Sequence, residues 1–111
     1  MALRIHCADS FWSRFKGLMF KPSLAPDEGL LITRCDSIHT CFMRFAIDVV
    51  YLDHAAQVVR LAPALKPWRF HLGGRSAVHT LELSAGTIHR LGIKVGDSLS
   101  ALLPCASALA R

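Results

Sequence analysis

Short apolar, β-branched runs alternate with turn-forming residues along most of this chain, and that rhythm limits what it can fold into. Leu30 to Thr33, Ser37 to Arg44, Ile47 to Leu52, Val58 to Ala64 and Ala77 to Leu83 are each of strand length. Leu3, Ile5 and Cys7 alternate with Arg4 and His6, which predicts a first strand. The segment Asp53-His54-Ala55-Ala56 suits a hairpin, and Lys21 to Gly29, with Pro22 and Pro26, reads as a loop. Lys66 to Arg75, with Pro67 and the Gly73-Gly74 pair, reads as a second loop. A tight turn through Val95-Gly96-Asp97-Ser98-Leu99 leads into a last strand.

Two short helices complete the pattern. Asp9 or Ser10 can cap one from Phe11 to about Met19, whose Phe11, Phe15, Leu18 and Met19 recur at helical spacing and face the core. Ser84 caps the other, which ends at Gly92. Six or seven strands with two short helices make an α+β, mostly β domain, built as a single compact curled sheet or barrel.

The 111 residues fit one domain, 1–111, large enough for a core without metals or disulfide staples. With 52% hydrophobic and 19% charged residues, disorder is excluded. The longest apolar run, Cys41 to Leu52, is broken by Arg44 and Asp48, so no segment approaches the ~20 residues of a membrane span. The start, Met1 to His6, lacks the apolar stretch of a secretory signal, and the expected location is the cytoplasm. In that reducing compartment all four cysteines are expected as thiols, with Cys7 and Cys105 acting as small hydrophobes. A monomer or weak oligomer is expected.

Three groups of residues carry candidate chemistry. If Cys35 to Arg44 is extended, Ser37, His39, Cys41 and Met43 share one face, with Cys35 within reach. Imidazole and sulfur in a row favour zinc or copper(I), although the spacing matches no standard zinc signature. Second, Asp48 lies in the middle of an apolar strand and must find a partner. His39 or Arg44 can serve across the Phe45-Ala46 turn, and a carboxylate orienting an imidazole is the unit of acid–base catalysis. The structural alternatives are a salt bridge or a carboxylate holding backbone amides at a bulge. Glu82, between Leu81 and Leu83, poses the same question and stays open, while Asp97 is expected to bond amides in its own turn.

Third, the loop from 66 to 75 interleaves Lys66, Arg69, His71 and Arg75 with Trp68 and Phe70. Such a loop can stack a planar group and hold a phosphate or carboxylate; alternatively its aromatics lid the sheet. The formal charge is +5, and no acidic residue falls between Asp53 and Glu82, whereas Arg60, Lys66, Arg69 and Arg75 do. There is no helix-turn-helix or zinc-finger pattern, so nucleic acid is not an expected partner. No phosphate-binding glycine loop or nucleophile elbow is present.

Gly17-Leu18-Met19-Phe20, the long block Gly29 to Asp53 (GLLITRCDSIHTCFMRFAIDVVYLD), and LELSAG…GIKVGDSL from Leu81 to Leu99 follow in this order. Together they resemble the domain-of-unknown-function 192 family of bacteria and archaea, over about nine tenths of the chain. The resemblance implies a compact, mostly β domain with a short helix, and implies no biochemical activity. The family pattern has an aromatic where Cys41 stands and a proline where Ala46 stands, so Cys41 chemistry is not implied for the family.

Three functional readings result, in this order. The first is a binding or accessory module that takes a small anionic ligand or a partner protein through Lys66, Trp68, Arg69, His71 and Arg75. The second is a small hydrolase-like enzyme using His39 and Asp48, and the third a soft-metal protein built on His39 and nearby sulfurs. The cofactor, if there is one, is left unknown by the sequence, and the fold is not expected to need a metal.

Overall fold

The computed structural model describes residues 3–8, 23–41 and 43–103. These form strands β1 (Arg4–Ala8), β2 (Glu28–Ile32), β3 (Ser37–His39), β4 (Ile47–Leu52), β5 (Val58–Leu65), β6 (Phe70–Leu72) and β7 (His79–Ser84). One α-helix, α1 (Thr87–Leu91), and a 3-10 turn, Ser100–Leu102, follow. The helix expected from Phe11 to Met19 lies outside the described residues.

Five strands make one sheet in the order β1-β2-β7-β4-β5, and β3 pairs with β6 in a second, two-stranded sheet. Only β1 and β2 run parallel; the other pairs are antiparallel. Among the described strands β1 and β5 end the larger sheet and do not pair with each other, so it is open rather than a closed barrel.

Every residue of β4 is buried, because the sheet is covered on both faces. Val50 and Leu52 join Leu81, Leu83 and Leu31 beneath Ile88, Ile93 and Leu99. The alternating residues Ile47, Val49 and Tyr51 pack instead with Ile38 and Met43, on the side of the smaller sheet. Each such aliphatic side chain contributes roughly 1.5–3 kcal/mol on burial, so two opposed clusters suffice for a domain of this size.

Several expected boundaries move, each for a local reason. The strand foreseen from Ser37 to Arg44 stops at His39, because Thr40 turns the chain and its carbonyl accepts the Met43 N–H at 3.2 Å and the Trp68 N–H at 3.0 Å. Part of the loop foreseen at 66–75 is strand β6, recruited by β3. Helix α1 starts one turn after Ser84, at an N-cap Gly86 with φ 92, while the Ser84 and Thr87 hydroxyls bond each other at 2.8 Å. Gly92 ends the helix in the left-handed conformation, as expected. In place of a last strand there is one bridge, Gln57 to Ser98, and then the 3-10 turn. Asp97 does bond within its turn, accepting the Lys94 N–H at 2.8 Å.

The expectation of four thiols is corrected. Cys7 is disulfide-bonded, while Cys35 and Cys41 are free. The bond adds a covalent link to β1, which among the described residues pairs with β2 alone, and such a link restricts the unfolded chain. Disulfides persist in oxidising compartments, so the cytoplasmic expectation loses the support of a fully reduced cysteine set. Thiol titration of the denatured, non-reduced protein is expected to count two reactive groups; a count of four would refute the bond. No described helix is long and apolar enough to cross a membrane.

Candidate functional site

Strand β6 is short, and its three residues divide between two environments. Phe70 and Leu72 point outward, 80% and 66% exposed, and Trp68 just before them is 59% exposed. His71 points the other way, onto the larger sheet. Its ring stacks on Tyr51 with centroids 5.6 Å apart and planes 16° apart. The Tyr51 hydroxyl donates to the His71 carbonyl at 3.1 Å and lies 3.0 Å from Nδ1. Both contacts are satisfied together when Nδ1 carries the proton and donates to the tyrosine oxygen. Burial pushes the tyrosine up from its ordinary range, and burial followed by the Arg60 charge holds His71 below the usual imidazole value. This pair is therefore a neutral anchor that fixes β6 to the core.

Thr40 builds the loop before β6. Fully buried, it accepts the Arg69 N–H on its hydroxyl oxygen at 2.8 Å. The same hydroxyl donates to the Lys66 carbonyl at 2.6 Å, and the Thr40 backbone N–H donates to the Arg69 carbonyl at 2.8 Å. These bonds pin the loop on both sides of Trp68, which sits at φ 63, a region bulky side chains rarely enter. At the other end, a Cβ on Gly73 would collide with the Tyr51 ring and the Ala77 methyl. Gly73 is thus a close-approach glycine rather than the flexible hinge its pairing with Gly74 suggests.

Lys66, Arg69 and Arg75 are exposed on the same segment. Of the residues expected to bind, Lys66, Trp68, Arg69 and Arg75 present themselves to solvent, whereas His71 turns inward to Tyr51. The sequence reading missed Thr40, Tyr51 and Leu72. The alternation of Phe70-His71-Leu72 was the available signal, disguised because here the apolar residues face out and the polar one faces in.

The pair His39 and Asp48 is not assembled. Asp48 shares its face of β4 with Val50 and Leu52, toward α1, and its Oδ2 accepts the Ile88 N–H at 2.8 Å. Its Oδ1 accepts the Ala64 N–H at 2.8 Å, where the β4–β5 register slips between Ile47 and Val49 and Ala64 takes φ 52. His39 belongs to the smaller sheet on the opposite face, its ring 6.1 Å from Phe70. The carboxylate holds amides at a bulge, a structural role.

The soft-metal row is not formed either, because β3 ends before Cys41 and the Cys35 thiol donates to the Ser37 carbonyl at 2.9 Å. Among the described residues no group of three or more His, Cys, Asp or Glu is placed to hold a metal ion.

Glu82 is the remaining buried carboxyl. It lies on the Tyr51 side of β7, 4% exposed, and its Oε2 has no hydrogen-bond partner. Burial alone pushes its pKa up to about 8. A cavity of about 300 Å³ opens at the Ser84 end of the same face, lined by Leu24, Phe45, Ala46 and Arg90 among others. Arg90 is already engaged there, donating to the Pro26 carbonyl at 2.6 Å.

The fold is shared with solved structures. A protein from Novosphingobium aromaticivorans superposes with a TM-score of 0.80 at 24% identity, covering 86% of this chain and 73% of that one. One from Sinorhizobium meliloti also gives 0.80, at 25% identity and with 86% and 79% coverage. In sequence, a UPF0127 protein of Pyrococcus furiosus is 44% identical over 100 residues, covering 87% of this chain and 85% of the relative. A UPF0127 protein of Thermococcus sibiricus is 37% identical over 103 residues, and the match spans 86% of this chain but 64% of that longer relative. The pattern of DUF192, described as an uncharacterized ACR, matches residues 1–101. The chain belongs to the DUF192 family, whose curated members here carry the name UPF0127.

Proposed function

We propose that this chain, read as one module over 1–111, recognises an anionic ligand or partner protein through the outer surface of β6 and the loop before it. The observation that carries this reading is the exposure of Trp68, Phe70 and Leu72 on one short stretch of chain that also carries Lys66, Arg69 and Arg75. Three large apolar groups on one short segment are costly to leave in water without a use. The loop is also pre-ordered by Thr40, which lowers the entropy lost on binding. The left-handed Trp68 fits a site where backbone strain is retained for presentation.

The test is titration of the protein with short acidic peptides, dicarboxylates and inorganic phosphate, following Trp68 emission against a Trp68→Ala control. Binding is expected to weaken as ionic strength rises, because exposed charges are screened beyond ~8 Å at physiological salt. Trp68→Ala is expected to weaken binding while shifting stability by less than about 1 kcal/mol, since most of the ring is in solvent. A large stability loss with unchanged affinity would refute the reading, as would binding indifferent to salt.

A further inference from the structure

The backbone of β6 has an open side. The bonds flanking the β3–β6 pair, Gly73 N–H to the Asp36 carbonyl at 2.7 Å and Thr40 N–H to the Arg69 carbonyl at 2.8 Å, fix which residues face which way. Hydrogen-bonded pairs in an antiparallel ladder recur every second residue. With Ile38 opposite His71, the bonded pairs are 36 with 73, 38 with 71 and 40 with 69. The N–H and C=O groups of Phe70 and Leu72 therefore point away from β3, and among the described residues β6 has no second strand neighbour.

Other edges of the molecule are blunted. Edge strand β5 carries Pro63 and the bulge at Ala64, which interrupt a ladder on that side. Edge strand β1 exposes Arg4 and His6. On β3 the Ser37 carbonyl is taken by the Cys35 thiol. The β6 edge has none of these devices, and its outward side chains are the aromatic Phe70 and the aliphatic Leu72.

We propose that β6 is a strand-addition site, and that its occupant is an extended acidic segment of a partner protein. The segment would pair with the outward N–H and C=O groups of Phe70 and Leu72. Its apolar residues would lie beside those two side chains, and its carboxylates would meet Lys66, Arg69 and Arg75. The absence of any acidic residue between Asp53 and Glu82 supplies the charge complementarity. A second copy of this chain is the less suitable occupant, because pairing β6 with β6 brings the same cations together. The proposal rests on the recognition reading above and adds to it a main-chain mode of binding.

The experiment selects displayed random dodecapeptides on the full chain and titrates the enriched peptides in synthetic form. Enriched sequences are expected to carry carboxylates with alternating apolar residues. Methylating their backbone nitrogens at alternate positions should weaken binding about tenfold for each bond removed. Leu72→Pro should do the same, since it deletes an N–H that points away from β3; a melting curve checks that it folds, and the methylated peptides test the same bonds on the intact protein. Peptides that bind equally well when methylated, yet lose affinity with Trp68→Ala, would overturn strand addition and leave the recognition reading standing. Failure to enrich any peptide over an unrelated control protein would overturn the proposal. Sedimentation showing a dimer that Leu72→Pro dissociates would replace the acidic partner with a second copy.

Discussion

Replacing Asp48 with alanine is expected to cost about 3–6 kcal/mol of stability, the largest loss foreseen for any single side chain here. Its two oxygens hold the Ala64 and Ile88 amides at 2.8 Å each, and hydrogen bonds to a charged group contribute about 1.5–3 kcal/mol apiece. A domain of this kind has only about 5–15 kcal/mol in total, so the variant should lose a large share of its stability. Asp48→Asn keeps one acceptor and turns an NH2 toward the other amide, so it should fall between. Urea denaturation of the three proteins decides the matter. A loss below about 1 kcal/mol for the alanine variant would show that both amides find other partners.

Glu82 sets the second large effect, which appears in pH rather than in a fixed loss. Folding raises its pKa from 4.5 to about 8, so between those values the folded chain holds a proton that the unfolded chain has released. The stabilisation linked to this proton is complete below pH 4.5 and declines as pH rises toward 8. The expected slope is about 1.4 kcal/mol lost for each pH unit in mid-window. Glu82→Gln mimics the protonated form and should remove most of that slope, ending more stable than the native chain at pH 8. Parallel stability profiles for the two proteins would show that the carboxyl is ionised in the fold and solvated by some rearrangement.

The architecture was legible where hydrophobic periodicity spoke for itself. The run from Ile47 to Leu52 marks β4 to the residue, and Gly92 marks the end of α1. Asp48 illustrates where reading from sequence runs short. An acid inside an apolar strand announces that a partner must exist, and amides at a bulge were among the alternatives, but side-chain chemistry does not say that they are those of Ala64 and Ile88. His39 was one of the two side chains proposed as its partner, and the covering of opposite sheet faces separates them. For the loop, composition revealed the cations and rings but not their arrangement. That arrangement depends on Thr40, an ordinary residue whose hydroxyl happens to meet Lys66 and Arg69 across the chain. The disulfide at Cys7 escaped for a similar reason, since a cysteine on an edge strand looks like any small hydrophobe until its neighbour in space is known.

The place of β7 in the sheet has a consequence for how the protein is made. It lies between β2 and β4, yet it is the last of the described strands to be synthesised. Until His79–Ser84 leave the ribosome, the nascent chain owns only the parallel pair β1–β2, the hairpin β4–β5 and whatever β3 and β6 contribute. Two-stranded pieces are marginal in water on their own, and joining them demands closure of long loops before any ladder repays it. Meanwhile the apolar β4 is uncovered along the edge that β7 will occupy, the condition under which partly made chains associate wrongly. The five-stranded sheet is therefore complete only once β7 has taken its place between β2 and β4.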